Sequence, residues 1–122
     1  MKYCCALITV EDINKSRKFY EEIMEQTVIN DYIEDVAFNG FSIHLRSHYK
    51  GLINGKNIEK AGNNIELYFE HDNIEEFEKK LKENNVVFIH ELREEPWKQK
   101  TIRIYDPDGY IIDIGEPMEN IK

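Results

Sequence analysis

Leu7-Ile8-Thr9-Val10-Glu11-Asp12-Ile13 is echoed by Tyr68-Phe69-Glu70-His71-Asp72-Asn73-Ile74 at a constant offset of 61 residues. Each copy reads as a strand feeding an amphipathic helix. Stepping back along the strand keeps the match, with Leu67 on Ala6 and Glu66 on Cys5. Self-similarity at fixed spacing marks a duplicated supersecondary unit. The expectation is one domain over residues 1–122, with module one at about 1–50, a linker at about 47–64 and module two at about 64–122, and a site between the copies.

Outward from the first copy, a strand is predicted over residues 2–10 and a helix over 14–26, with Phe19, Tyr20 and Ile23 on one face and Asp12 or Asn14 as its cap. Strand-like segments follow at 27–33 and at 35–46, the latter broken by the turn dipeptide Asn39-Gly40. In the second copy a strand at 65–71 precedes a helix that opens at Asn73, with Glu76 three positions on, in a capping-box-like start. Ile74, Phe77 and Leu81 form its apolar stripe, and Asn84-Asn85 end it. Strands at 86–92, 100–105 and 110–115 complete the copy, the last two joined by the turn Asp106-Pro107-Asp108-Gly109. Each copy is thus β-α-β-β-β. Between them, 47–64 carries Gly51, Asn54-Gly55 and Gly62-Asn63-Asn64, the composition of a plain connector or of a flap over a site.

A chain that is 41% hydrophobic can bury a shared core. The net charge of −8, with charges interspersed, argues against nucleic acid and anionic membranes as partners. The apolar run at 3–10 is too short for a signal peptide and leads into Glu11-Asp12, so a cytoplasmic location is expected. Cys4 and Cys5 cannot build a disulfide framework. On a strand they face opposite ways, Cys4 reading as a small buried hydrophobe.

Sorting the strands by parity separates two faces. Cys4, Ala6, Ile8 and Val10, then Phe41, Ile43 and Leu45, then Ile65, Leu67 and Phe69, then Ile102 and Ile104, then Ile112 and Ile114 fall on the helix side. The opposite face receives Cys5, Ser42, His44, Arg46, Glu66, Tyr68, Thr101, Arg103, Tyr105 and Asp113. Cys5, His44, Glu66 and Asp113 are therefore four candidate metal donors on one side. The competing reading is a sheet face that alternates polar with apolar simply to meet solvent.

Leu7-x-x-Val10-x-Asp12-x-x-x-Ser16-x-x-Phe19-Tyr20 in the first copy, with Trp97 through Tyr105-Asp106-Pro107-Asp108-Gly109-Tyr110-Ile111-Ile112-Asp113 in the second, resembles the vicinal-oxygen-chelate superfamily of glyoxalase I, bleomycin-resistance proteins and extradiol dioxygenases. The resemblance implies an α+β fold of two tandem β-α-β-β-β modules forming a curled mixed sheet with a concave cup. It implies metal ligands at Cys5, His44, Glu66 and Asp113, with Glu66 doubling as the catalytic base, and suits Zn, Ni or Fe as the divalent metal. Substrate contacts are expected from Arg46, Tyr68, Trp97, Arg103 and Tyr105. The sequence departs from the family's metal enzymes at Cys5, where His, Gln or Glu is usual, and at Asp113, where Glu is usual. Trp97-Lys98-Gln99-Lys100 replaces the Trp-Gly-Gln-Arg of many relatives, losing a flexible glycine and a planar guanidinium.

Two functions follow from that resemblance. One is a divalent-metal-dependent lyase or isomerase acting on a small molecule through an enediolate-like intermediate. The other is a metal-free protein of the bleomycin-resistance type that sequesters an antibiotic or metabolite, with Tyr68, Trp97, Tyr105 and Tyr110 as flat surface and Glu66, Glu70 and Asp113 attracting a cation. Either is expected as a homodimer with a small-molecule ligand. Of the remaining histidines, His71 and His90 read as structural or solvated, and His48 alone is placed to reach the cup.

Overall fold

The computed structural model describes residues 1–121. Their strands form two four-stranded mixed sheets, one in each of two units, Met1–Lys60 and Ala61–Lys122. This is an α+β fold of two tandem modules.

In the first unit, β1 (Ala6–Val10) leads into α1 (Ile13–Lys18), which continues as a π-helical turn, Phe19–Ile23. β2 (Asn30–Asp31), β3 (Asp35–Ala37) and β4 (Phe41–Leu45) follow, then α2 (Arg46–Leu52). The strand order is β1-β4-β3-β2, with β1 and β4 parallel, the helix serving as the crossover that parallel pairing requires. Asp12 is the cap: its carboxylate accepts from the backbone N–H groups of Asn14 and Lys15, both at 3.1 Å. The wider turn is closed by Met24 N–H donating to the Phe19 carbonyl at 3.0 Å, a five-residue span. Phe19 and Tyr20 are both buried as a result, and Tyr20 packs within 5.0–5.8 Å of the rings of Phe19, Phe38 and Phe41.

The second unit repeats the plan with β5 (Glu66–Glu70), α3 (Ile74–Glu83), β6 (Val87–Glu94), β7 (Lys100–Tyr105) and β8 (Ile111–Gly115), in the order β5-β8-β7-β6. Asn73 caps α3 by accepting from Glu76 N–H at 3.4 Å, and Ile74, Phe77 and Leu81 are buried as the stripe requires. They share the core with Ile102, Ile104, Ile112 and Ile114. The Asp106 turn forms through its own carboxylate, which accepts from Asp108 N–H and Tyr110 N–H at 2.9 Å each, while Gly109 takes φ +93°.

Several predicted elements change. The first strand begins at Ala6, because β4 starts only at Phe41 and offers residues 2–5 no partner; Cys4 is consequently exposed instead of buried. Of 27–33 only Asn30–Asp31 pair as a strand. The first helical run stops at Ile23, with Glu25 at φ +59° turning the chain out. β6 extends to Glu94, with bulges on either side of His90. The stretch expected to be a linker opens with α2, a helix stabilised from outside itself: His48 stacks on His44 and Tyr49 meets His44 edge-on. Among the described residues no helix is long and apolar enough to cross a membrane.

Gly109 sits in the left-handed region with an open site for a Cβ, whose nearest neighbour would be Ala61 Cβ at 3.9 Å. Gly109→Ala should therefore cost backbone strain alone, about 1 kcal/mol. A lower urea midpoint with an unchanged denaturant slope is the expected measurement.

Candidate functional site

Strand register in the second unit lays out the polar face as rows. Tyr68, Asp113, Arg103 and His90 stand side by side across β5, β8, β7 and β6. One row along, Glu70, Gly115, Thr101 and Arg93 do the same; on the other flank lie Glu66, Ile111, Tyr105 and Val87.

Arg103 is the hub of this face. Its Nε donates to Glu66 Oε1 at 3.2 Å, one terminal nitrogen donates to Glu95 Oε1 at 3.2 Å and lies 3.0 Å from His90 Nε2, and the other donates to Asp113 Oδ2 at 3.3 Å. Burial works against the guanidinium charge, but the Asp113 and Glu66 carboxylates outweigh it and raise the Arg103 pKa. Asp113 responds oppositely: burial first, then the neighbouring Glu66 charge, push its carboxyl up to about 6 in spite of Arg103. Its Oδ1 is buried and receives no hydrogen bond. Glu95 is held down to about 2 by the Arg93 hydrogen bond and by Thr101 Oγ1, which donates at 2.7 Å.

Gln99, which the sequence reading passed over, orients the aromatic edge. Its amide donates to Tyr68 Oη at 2.8 Å and to the Glu116 carbonyl at 2.9 Å, and its Oε1 accepts from the Trp97 indole N–H at 2.8 Å. Tyr68 in turn donates to Glu70 at 2.6 Å, and burial with that carboxylate pushes its phenol up to about 12. Gly115 makes this possible, since a Cβ there would overlap Gln99 Nε2. Both rings stay about half exposed, Tyr68 at 46% and Trp97 at 47%. Tyr105 is turned to the loop, donating to Asn63 Oδ1 at 2.9 Å. The third residue of Trp97-Lys98-Gln99 was the available signal for Gln99. The lost glycine is also visible here: Lys98 stands at φ +78°.

The first unit carries a different arrangement. His44 is buried, with Nδ1 2.8 Å from Asp35 Oδ2 and Nε2 2.8 Å from His48 Nδ1. The Asp35 carboxylate accepts from Nδ1 of His44, and Nε2 faces Nδ1 of His48. Cys5 is exposed and precedes β1, whereas His44 pairs with Thr9, four residues further along. The 61-residue offset makes the mismatch explicit. Asp113 pairs with Tyr68, whose counterpart Leu7 pairs with Ser42; His44 instead occupies the slot that Gly115 holds opposite Glu70. Arg46 opens α2 and donates to Glu11 at 2.7 Å.

The four expected metal donors thus divide. Glu66 and Asp113 are brought together, but with a guanidinium already bonded to both. Cys5 and His44 are not brought together, and both His44 ring nitrogens are engaged. Among the described residues no three His, Cys, Asp or Glu side chains cluster as a metal site. As arranged, these donors do not fit a divalent metal.

Each of the two units carries the same β-α-β-β-β plan. Residues 3–119 match the glyoxalase-like domain family, and the chain belongs to it. Among solved structures it is similar to a protein of unknown function from Agrobacterium tumefaciens str. C58, at 32% identity and TM-score 0.88, covering 97% of this chain and 95% of that one. It also resembles a lactoylglutathione lyase from Agrobacterium tumefaciens (13% identity, TM-score 0.75, covering 100% and 99%). A member of the glyoxalase/bleomycin resistance protein/dioxygenase superfamily from Sphaerobacter thermophilus DSM 20745 is similar at 23% identity and TM-score 0.70, covering 96% and 98%. These last two likenesses speak to fold alone. No curated protein sequence matches the chain.

Two outcomes are expected from this geometry. Folding raises the Asp113 pKa from 3.8 to about 6, so the folded state holds the proton more tightly and this group costs stability as pH rises from about 4 through 6. Asp113→Asn should flatten that part of a melting-temperature-against-pH curve; an unchanged slope would contradict the assignment. Lys98→Gly should relieve the strained backbone and stabilise the fold by roughly 1 kcal/mol, read from the urea midpoint.

Proposed function

We propose that this protein binds a cationic, partly aromatic small molecule on the polar face of its second unit, without a metal. The observation that carries the reading is the pair of half-exposed rings, Tyr68 and Trp97, held by Gln99 beside a carboxylate-rich sheet face. Glu66, Glu70, Glu95 and Asp113 outnumber Arg93 and Arg103 on this face, which favours positive charge in the ligand. The half-exposed rings of Tyr68 and Trp97, fixed through Gln99, offer flat surface to an aromatic ligand at small entropic cost.

The alternative, a divalent-metal-dependent lyase or isomerase working through an enediolate, requires Arg103 to leave Glu66 and Asp113. Trp97 is the single tryptophan, so its fluorescence reports the site directly. Titration with a cationic acridine dye should quench it saturably, a neutral analogue should bind at least about tenfold more weakly, and Asp113→Asn should lose a similar factor, equivalent to about 1.4 kcal/mol. Untagged protein should carry no stoichiometric divalent metal. Stoichiometric metal that disappears in Glu66→Ala and in His44→Ala, with no dye response, would replace this reading by the lyase or isomerase one.

A further inference from the structure

In three places the chain sets a side-chain carbonyl directly before a glycine, at Asn39-Gly40, Asn54-Gly55 and Asp108-Gly109. Such a pair can close on itself, because glycine has no Cβ to keep its backbone nitrogen away from the preceding side-chain carbonyl carbon. The nucleophile is the glycine amide nitrogen once it has lost its proton. Where that N–H is held by a carbonyl, local opening must come first.

The fold treats the three pairs differently. Gly55 N–H donates to the Lys50 carbonyl at 2.8 Å, and Asn54 stands at φ +60° with its own N–H on the Gly51 carbonyl at 3.3 Å. Gly109 N–H donates to the Asp106 carbonyl at 3.1 Å. Gly40 is the exception: its carbonyl accepts from Ala6 N–H at 3.4 Å, but its own N–H meets no acceptor among the described residues. Asn39 and Gly40 are both exposed, and nothing lies within 4 Å of the place a Cβ on Gly40 would take. Beneath them the hairpin from β3 to β4 is anchored. Phe38 N–H donates to the Phe41 carbonyl at 2.8 Å, and the buried rings of Phe38 and Phe41 stack at 5.1 Å.

We propose that Asn39 is a site of spontaneous covalent modification, deamidation to aspartate and isoaspartate, from which the fold protects Asn54. The deprotonated Gly40 nitrogen bonds to Asn39 Cγ, the bond from Cγ to the amide nitrogen breaks, and ammonia leaves with a proton from solvent, closing a succinimide. Water then opens the ring. Hydrolysis at Cγ gives aspartate, whereas hydrolysis at the Asn39 backbone carbonyl gives isoaspartate, with the main chain rerouted through the side chain. Water is the sole co-reactant, and no oxidation state changes. Either product adds a negative charge at the tip, and isoaspartate also adds one carbon to the main chain between β3 and β4. That lengthening falls beside the Ala37–Ser42 pair and the Phe38–Phe41 stack. The same two strands pair Asp35 with His44, so the modification bears on the first unit's polar cluster through strand register, independently of the function proposed for the second unit.

Ageing of the full chain in warm, mildly alkaline buffer, followed by peptide mapping with mass spectrometry and by isoaspartate-specific enzymatic methylation, tests the site. In the folded protein Asn39 should convert at least about fivefold faster than Asn54, the factor set by one hydrogen bond. In guanidinium chloride the two should convert at comparable rates, since glycine follows both. Asn39→Gln, whose longer side chain closes a ring far more slowly, should lose the isoaspartate signal; position 39 is exposed, and circular dichroism verifies that the variant folds. Aged wild type should melt below Asn39→Gln aged in parallel. Equal rates at Asn39 and Asn54 in the folded chain, or conversion of Asn39 only in guanidinium chloride, overturns the proposal; an unchanged melting temperature in converted protein overturns the effect assigned to the β3–β4 turn.

Discussion

The bonding of Arg103 to Glu66, Glu95 and Asp113 is the constraint on which the second unit's chemistry rests. Two carboxylates on adjacent strands and a third just past the end of β6 repel one another, and two of the three, Glu95 and Asp113, are almost fully buried. A guanidinium is suited to the task because its planar fork can serve several acceptors at once while remaining charged. The sharing is uneven. Glu95 also has Arg93 and Thr101 and stays a strong acid, whereas burial and the neighbouring Glu66 charge make Asp113 a weak one in spite of Arg103.

Around that hub, support passes outward through hydrogen bonds that only particular residues permit. Gln99 reaches across to Tyr68 because position 115 has no side chain, and it faces Trp97 because Lys98 accepts a left-handed backbone. Rigid aromatics at a polar rim are thereby set by one amide. In the first unit the organising group is the imidazole of His44, tied to Asp35 on the neighbouring strand and to His48 on the following helix. The two copies share a backbone plan and differ in their polar chemistry.

Most of the architecture is legible in alternation and turn chemistry. Ile102, Ile104, Ile112 and Ile114 are buried as their parity demands, and Asp106 through Gly109 turn as that composition dictates. Parity names a face but not a height along the strand, which is why Cys5 and His44 share a side without meeting. It is also silent on cover: Asp113 and Thr101 lie on the polar face and are nevertheless buried. α2 escapes a local reading because Gly51 weakens the pattern and the stabilising partner, His44, sits on the preceding strand. Arg103 was legible as a site residue; its engagement with three carboxylates is a property of packing.

The slot opposite Glu70 and Thr9 shows what a duplication retains. In one copy the backbone is bare at Gly115 and the space is taken by the amide of Gln99, a residue from another strand's threshold; in the other it is taken by the imidazole of His44 itself. The inherited quantity is a volume to be filled by a polar group, not an identity at an aligned position. Two halves can therefore drift to unrelated chemistries while each sheet remains compatible with the same crossover, and residue-by-residue transfer between them fails at the places where function is built.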